Sequence, residues 1–266
     1  MNGGGSRAAR FLLDLYVALF LAYMFAPLLV MSLAAFNDYP YPSVTQWGGF
    51  TLRWFPALLQ DERLLRGLAH SLVIAAGVVA ISLPLGLAGA LVLQQLRGRA
   101  AGFLYAVMVS PILTPGIILG ISTLIFWREL GVPAGKFTAT LAQSSFIASY
   151  AMLMFLARLQ RFDPTLEEAA YDLGASAFLF FRRILLPFLA PTAATAAVIA
   201  FLQSFENYNT TVFSIGGDWT LVTEIGSRFR FGLSPVINVV GVLFVLATVV
   251  FASLWVWLSE RRRAVR

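Results

Sequence analysis

The sequence predicts an all-α membrane protein of six transmembrane helices, and three observations carry that prediction: extreme apolarity, chain length and the spacing of the apolar runs. Hydrophobic residues fill 59% of the 266 positions and charged residues only 12%, with a mean hydropathy of +0.80. Soluble domains carry about twice that share of charge, roughly 25%. A span needs roughly 20 mainly apolar residues to cross a hydrocarbon core, so the chain has room for about six and little for a separate soluble domain. Apolar stretches fall at residues 11–36, 68–95, 103–127, 138–158, 186–206 and 236–258, and residues 1–266 are expected to form one transmembrane domain.

The first stretch follows a basic start but is too long for the apolar core of a signal peptide, so a retained first helix is expected. Residues 37–67 then read as an outer loop rich in turn formers, with Tyr39, Tyr41, Trp47 and Trp54 suited, like Trp219 later, to a membrane interface belt. In the second span, Gly86 and Ala90 form a small-xxx-small pair that fits helix packing in lipid. The third span is interrupted by Pro111 and by Pro115-Gly116. Prolines remove helical hydrogen bonds, so this is either a tolerated kink or a break lining a pathway. Span four, the segment 159–185, span five, a second outer loop at 207–235 and span six complete the order.

Charge supplies the orientation. The net charge of +6 does not form a basic patch interleaved with aromatics, so nucleic acid is not an expected partner. If both ends are cytoplasmic, the inside segments hold Arg7, Arg10, Arg97, Arg99, Arg158, Arg161, Arg182, Arg183 and the C-terminal arginines, most of the 19 basic residues. The positive-inside rule favours that arrangement. Absence of cysteine excludes disulfides, thiolate nucleophiles and zinc-thiolate sites, and a single histidine, His70, excludes a multi-histidine metal site. No GxSxG elbow, HExxH or Walker A sequence is present, which argues against an intramembrane hydrolase or an ATPase. A secondary transporter remains a rival class; it would normally need inner-span acids or histidines for coupling, or a filter-like loop, and would transport without an ATPase.

The segment 159–185 is too polar in its first half for lipid and reads as two short helices. Asp163 caps the first with Pro164 at its first position, or Thr165 and Glu168 form a capping box. Leu166, Ala169, Ala170 and Leu173 then share a face, and Gly174 ends the helix because it takes positive φ cheaply. Ser176 caps a second helix bearing Phe178, Phe181, Ile184 and Leu185, and Pro187 and Pro191 mark the start of span five.

Glu168-Ala169-Ala170, Gly174 four positions after Ala170, and Ile184-Leu185-Leu186-Pro187 after nine more residues resemble the EAA motif of ABC importer permeases at every fixed position. The resemblance implies a type I (MetI-like) permease fold with cytoplasmic termini, in the bacterial inner membrane, with 159–185 as a loop that couples to a cytoplasmic ATPase. It implies Glu168, Ala169, Ala170 and Gly174 as the docking surface, with Ile184, Leu186 and Pro187 fixing its geometry. The implied partners are a second homologous permease, two copies of the ATPase, a periplasmic or extracellular substrate-binding protein and membrane lipid. The chain itself would bind no cofactor, ATP being hydrolysed with Mg by the partner ATPase.

VMVSPILTPGIILG in span three, LEEAAYDLGAS and GLSPVINVVGVL are further similar to the permeases of spermidine/putrescine importers, which implies a polyamine substrate. Glu206, at the outer end of span five, sits where those permeases carry acidic residues, although its neighbour Asn207 is neutral. Glu206, Asn207 and Asn209 are therefore the expected pathway residues; the alternative for Glu206 is a carboxylate merely exposed at the outer interface. Arg228 and Arg230 in the last outer loop would suit an anion, which keeps sulfate, phosphonate or ferric-ion import as alternatives, or would contact the binding protein.

Overall fold

The computed structural model describes residues 7–231 and 234–264. Among these the chain is helical, with one isolated bridge between Asn37 and Phe50. In chain order the helices are α1 (Arg7–Ala34), α2 (Trp54–Gln60), α3 (Glu62–Gln95), α4 (Gly98–Leu113), α5 (Gly116–Glu129), α6 (Lys136–Leu159), α7 (Thr165–Asp172), α8 (Ala177–Phe180), α9 (Leu186–Phe205), α10 (Thr211–Ser214), α11 (Leu221–Phe231) and α12 (Val236–Ala264). Four helical stretches are long and apolar enough to cross a membrane: Ala9–Ala34, Glu62–Gln95, Lys136–Leu159 and Ala177–Phe205; the bent pair α4–α5 makes a fifth if it is one span. In α12 the described apolar part is Val236–Val250. The loops expected at 37–67 and 207–235 contain α2, α10 and α11.

The chain forms two compact units. One runs up to Glu62 and resumes at Ser227; the other is Arg63–Gly226. In the first, α12 packs on α1 and α2, while most of α1 remains exposed within this chain, as expected of an all-round apolar helix whose solvent is lipid. The stretch after α1 is organised by Asn37, which is 1% exposed. Its Nδ2 donates to the carbonyls of Ser43 and Gln46 at 2.7 Å, and its Oδ1 accepts from Gly48 N–H at 2.9 Å. The Trp54 indole donates to the Asn37 carbonyl at 2.9 Å. Asn37→Ala would strip three backbone groups of their partner. We expect a loss of about 2 kcal/mol localised to residues 38–50, read as faster limited proteolysis there with no change in α1.

In the second unit α6 is the hub, contacting α4, α5, α9 and α10. It also meets α3 closely: a Cβ on Gly86 would lie 2.7 Å from both Ala151 Cβ and Met152 N. Packing without a hydrophobic drive in lipid relies on such side-chain-free approaches. Among the described residues, two apolar cores of this unit stand out. One joins Ile74 and Val78 of α3 to Ala139 and Ile147 of α6, Ala200 and Ile215. The other gathers Leu93, Met152, Phe155 and Leu159 with Ala170, Phe180, Leu185 and Leu189.

Two expectations are made definite or corrected here. The interruption expected in the third span is a break and not a gentle kink: two helices meet at 104°. Thr114, forced extended by the following proline (φ −85°, ψ 129°), and Pro115 itself (φ −54°, ψ 134°) turn the chain sharply. The Thr114 hydroxyl donates to the Ser110 carbonyl at 2.9 Å and the Ser110 hydroxyl to the Val107 carbonyl at 2.8 Å, which satisfies groups that the break frees. The second correction concerns the short helix after Gly174, which is not separate from span five. The helical path is continuous from Ala177 to Phe205, and a π turn at Phe181–Leu185 absorbs the approach to Pro187. Such a bulge adds a residue to the turn before the proline, whose missing N–H and bulky ring an ordinary α-turn accommodates poorly.

Candidate functional site

Two places collect the residues singled out by the sequence. The first is the surface around α7. Asp163 Oδ1 accepts from the Thr165 hydroxyl at 2.8 Å and the Thr165 N–H at 2.9 Å, and these bonds hold its carboxyl below the usual carboxylate range. The Glu168 N–H bonds to the Pro164 carbonyl at 3.2 Å, so the Asp163 cap forms and the Thr165–Glu168 box does not. Gly174, at φ +81°, closes the helix. Its N–H bonds to the Tyr171 carbonyl and that of Ala175 to the Ala170 carbonyl, both at 2.9 Å, which is the Schellman arrangement. Ser176 then accepts from Leu179 N–H at 3.3 Å to start α8. The Tyr171 hydroxyl is pushed up by partial desolvation and by the Glu167 carboxylate to which it donates at 3.3 Å.

The exposed part of this surface is apolar at Leu173 (89%), Phe178 (70%) and Leu166, with Glu168 and Ala169 beside them. Ala170 faces the other way and is buried in the core with Phe180 and Leu185. The expected common face of Leu166, Ala169, Ala170 and Leu173 is therefore divided: Ala170 seats the helix and the others are presented outward. The anchoring expected of Ile184, Leu186 and Pro187 falls differently as well. Ile184 packs on the core, Leu186 and Pro187 are exposed, and the buried residue is Leu185. Phe162 packs edge-on against Phe180 and Phe188, and the Arg158 guanidinium lies 4.0 Å over the Phe188 ring.

The second place is the α4–α5 break. An open cleft of about 300 Å³ is bounded there by Pro111, Ile112, Thr114, Gly116 and Leu119, by Phe146 and Tyr150 of α6, by Gln203 of α9 and by Glu206 through Thr210. Glu206, Asn207 and Asn209 are thus brought together, and Glu206 is the one charged residue of the lining. A lone carboxylate amid amides, hydroxyls and aromatic rings suits an ammonium group. Asn207 also braces the wall, because its Oδ1 accepts from the N–H of Thr210 at 3.1 Å and of Thr211 at 3.3 Å, and from the Thr211 hydroxyl at 3.1 Å.

Close packing fixes the far wall. A Cβ on Gly120 would stand 2.5 Å from the Thr210 carbonyl oxygen, so α5 lies backbone to backbone against the start of α10. Behind it, wholly buried Gln143 of α6 accepts from the Ser204 hydroxyl and donates to Thr211 Oγ1 at 2.7 Å. Sequence reasoning missed Gln143, Tyr150 and Gln203; the polar run Gln143-Ser144-Ser145 inside an apolar span was the available signal.

Arg228 of α11 and His70 of α3 also find partners. Arg228, expected to suit an anion, makes a two-pronged ion pair with Asp61, one arm at 2.8 Å, with both side chains about four-fifths buried. Its guanidinium is committed to a carboxylate of this chain, which corrects that expectation. His70 contacts the Trp219 carbonyl through Nδ1 at 2.9 Å, so Nδ1 carries the proton and Nε2 is left to accept from Lys136 at 3.4 Å. Local bonding accounts for the lone histidine.

Comparison with known proteins agrees with the architecture. Residues 80–265 match the family described as binding-protein-dependent transport system inner membrane component. The chain is 31% identical over 252 residues to the putrescine transport system permease protein PotI of Escherichia coli (strain K12), covering 92% of this chain and 89% of that one. It is 27% identical over 230 residues to the spermidine/putrescine transport system permease protein PotC of the same strain, 86% of each. In fold it is similar to a chain of a bacterial ABC transporter for the import of alginate (TM-score 0.68, 16% identity, 95% of this chain and 94% of that one). It is likewise similar to a chain of an amino acid ABC transporter (TM-score 0.58, 17% identity, 80% and 100%). The chain belongs to the binding-protein-dependent transport system inner membrane component family and is a non-catalytic, multi-pass permease of the bacterial inner membrane with the ABC importer fold.

Proposed function

We propose that this permease forms half of a polyamine pathway and is driven through the α7 surface by a cytoplasmic ATPase. The observation that carries the substrate reading is the cleft at the α4–α5 break, whose lining holds one charge, the Glu206 carboxylate. A flexible polycation passing such a cleft is stabilised one ammonium at a time, by carboxylate, carbonyl and aromatic face in turn. The names of the relatives PotC and PotI, spermidine/putrescine and putrescine permeases, support the same class.

The coupling reading is supported by the α7 surface. Leu166, Leu173 and Phe178 are apolar side chains left uncovered on a segment that is otherwise capped and seated with care, and such a patch rimmed by Glu168 suits contact with a partner protein. Glu168, Ala169 and Gly174 make its surface, Ala170 seats it, and Ile184, Leu186 and Pro187 join it to the long helix. The complete machine would comprise a second homologous permease, two ATPase subunits that hydrolyse ATP with Mg as cofactor, and a binding protein delivering substrate from outside, with both termini of this chain cytoplasmic.

The test is uptake of radiolabelled putrescine and spermidine into proteoliposomes holding the assembled complex, with binding protein and ATP on opposite sides. Saturable, ATP-dependent uptake is expected, and Glu206→Gln should lower it about tenfold, the equivalent of about 1.4 kcal/mol. ATP-dependent import of sulfate, phosphonate or ferric ion with none of polyamine would overturn the substrate and leave the permease assignment standing.

A further inference from the structure

We propose that Gln143 is a positioning residue for the cleft: from α6 it clamps both ends of the segment Ser204–Thr211 and so sets where Glu206, Tyr208 and Asn209 stand. That the positioned wall belongs to a transport pathway rests on the function proposed above; the clamp itself rests on hydrogen-bond geometry alone.

Gln143 is 0% exposed, and Ser204, Thr210 and Thr211 around it are 5%, 0% and 0% exposed. An amide so deep in an apolar span is tolerated only where its donor and acceptor are both matched. Here the polarity of each bond is fixed by the next. Ser204, in the last turn of α9, donates its hydroxyl to Gln143 Oε1. Gln143 Nε2 donates to Thr211 Oγ1 at 2.7 Å, which leaves the Thr211 hydroxyl proton for Asn207 Oδ1 at 3.1 Å. Asn207 Oδ1 in turn receives the first N–H groups of the following turn. One side chain thus holds the chain just before Glu206 and just after Thr210, and the residues from Glu206 to Thr210 line the cleft.

The chemistry is specific to glutamine. Glutamate keeps the acceptor for Ser204 but loses the donor, so Thr211 must turn its proton away from Asn207. Methionine keeps the volume and loses both bonds, and asparagine is a methylene short. A second feature shows why register here matters: the Thr210 hydroxyl is buried and finds no partner among the described residues, and it faces the space where a Cβ on Gly116 would sit, 3.0 Å away. Small shifts of the clamped segment move this hydroxyl against the broken helix.

The chain has no cysteine, so Asn209→Cys introduces a unique thiol in the cleft wall. Its rate of modification by a small cationic thiosulfonate is measured on this subunit in the assembled complex, with Leu59→Cys on α2 as an exposed reporter outside the cleft. Adding Gln143→Met should change the rate at position 209 by about fivefold or more, as local ordering is lost, while leaving position 59 unaltered. Binding-protein-stimulated ATP hydrolysis should persist while substrate imported per ATP falls about tenfold. Gln143→Glu, with one bond retained, should fall between. Should Gln143→Met not assemble, Ser204→Ala and Thr211→Val each sever one end and should each shift the rate at 209 in part. Unchanged labelling at 209 in the Met variant, or in both single-end variants, would overturn the clamp. A shift in labelling with no polyamine transported by the unmodified complex would overturn the proposed substrate and leave the clamp in place.

Discussion

Gly174→Asp is expected to abolish ATP-driven uptake while the chain still inserts and folds. At φ +81° the position strains most side chains, but aspartate is among the few that visit this region at modest cost. A Cβ there would also meet nothing within 4 Å, so no clash arises inside the chain. What the substitution adds is a charge at the turn beside Leu173, in the middle of the exposed apolar surface, and burying an unpaired carboxylate against a docked subunit is costly. Gly174→Asn separates the two effects, since it has the same shape and tolerance of positive φ without the charge. Uptake and co-purification of the ATPase should be lost in the aspartate variant and largely kept in the asparagine one. Normal uptake by Gly174→Asp would sink the docking role.

Gly86→Val is expected to have the largest effect on folding. The Cβ it adds would fall 2.7 Å from Ala151 Cβ, 2.7 Å from Met152 N and 2.8 Å from the Ala148 carbonyl oxygen. Two of these are backbone atoms of a regular helix, with no rotamer to yield, so α3 and α6 must part along their length. Overpacking of this kind costs about 3 kcal/mol, and here it also opens the core shared by Leu93, Met152 and Phe155. Thermal unfolding in detergent followed by size-exclusion should show an early transition and aggregation. Gly102→Ala, at a helical position with open space around it, is the control and should unfold like the parent.

How far these features were legible in the sequence depends on how local their causes are. The capped turn at Asp163, the positive φ of Gly174 and the positions of the apolar runs follow from a few neighbouring residues and were readable. The 104° break was half readable: prolines announced an interruption, but whether it bends gently or folds back depends on Thr114 and Pro115 both being extended, which neighbours on α6 and α10 help to hold. Continuity from Ala177 to Phe205 was hidden because two prolines look like punctuation, whereas a π turn precedes Pro187 and α9 runs on through Pro191. Ala170 pointing inward, the pairing of Arg228 with Asp61 across 167 positions and the Gln143 bridge are tertiary facts, and no local pattern encodes which distant partner a polar side chain meets. Glu206, Asn207 and Asn209 stand together because they are close in sequence; that their cleft lies at the broken span was one of the two readings the prolines left open.

The unbroken helix has a mechanical consequence. Its 29 residues, Ala177 to Phe205, make an arm about 43 Å long at 1.5 Å per residue. Its base carries Phe178, on the apolar surface around α7, and its tip adjoins Glu206. A tilt of only about 5° about the base would swing such an arm's tip by about 4 Å, more than the reach of a hydrogen bond. A small rotation imposed at one end would thus arrive at the other already amplified.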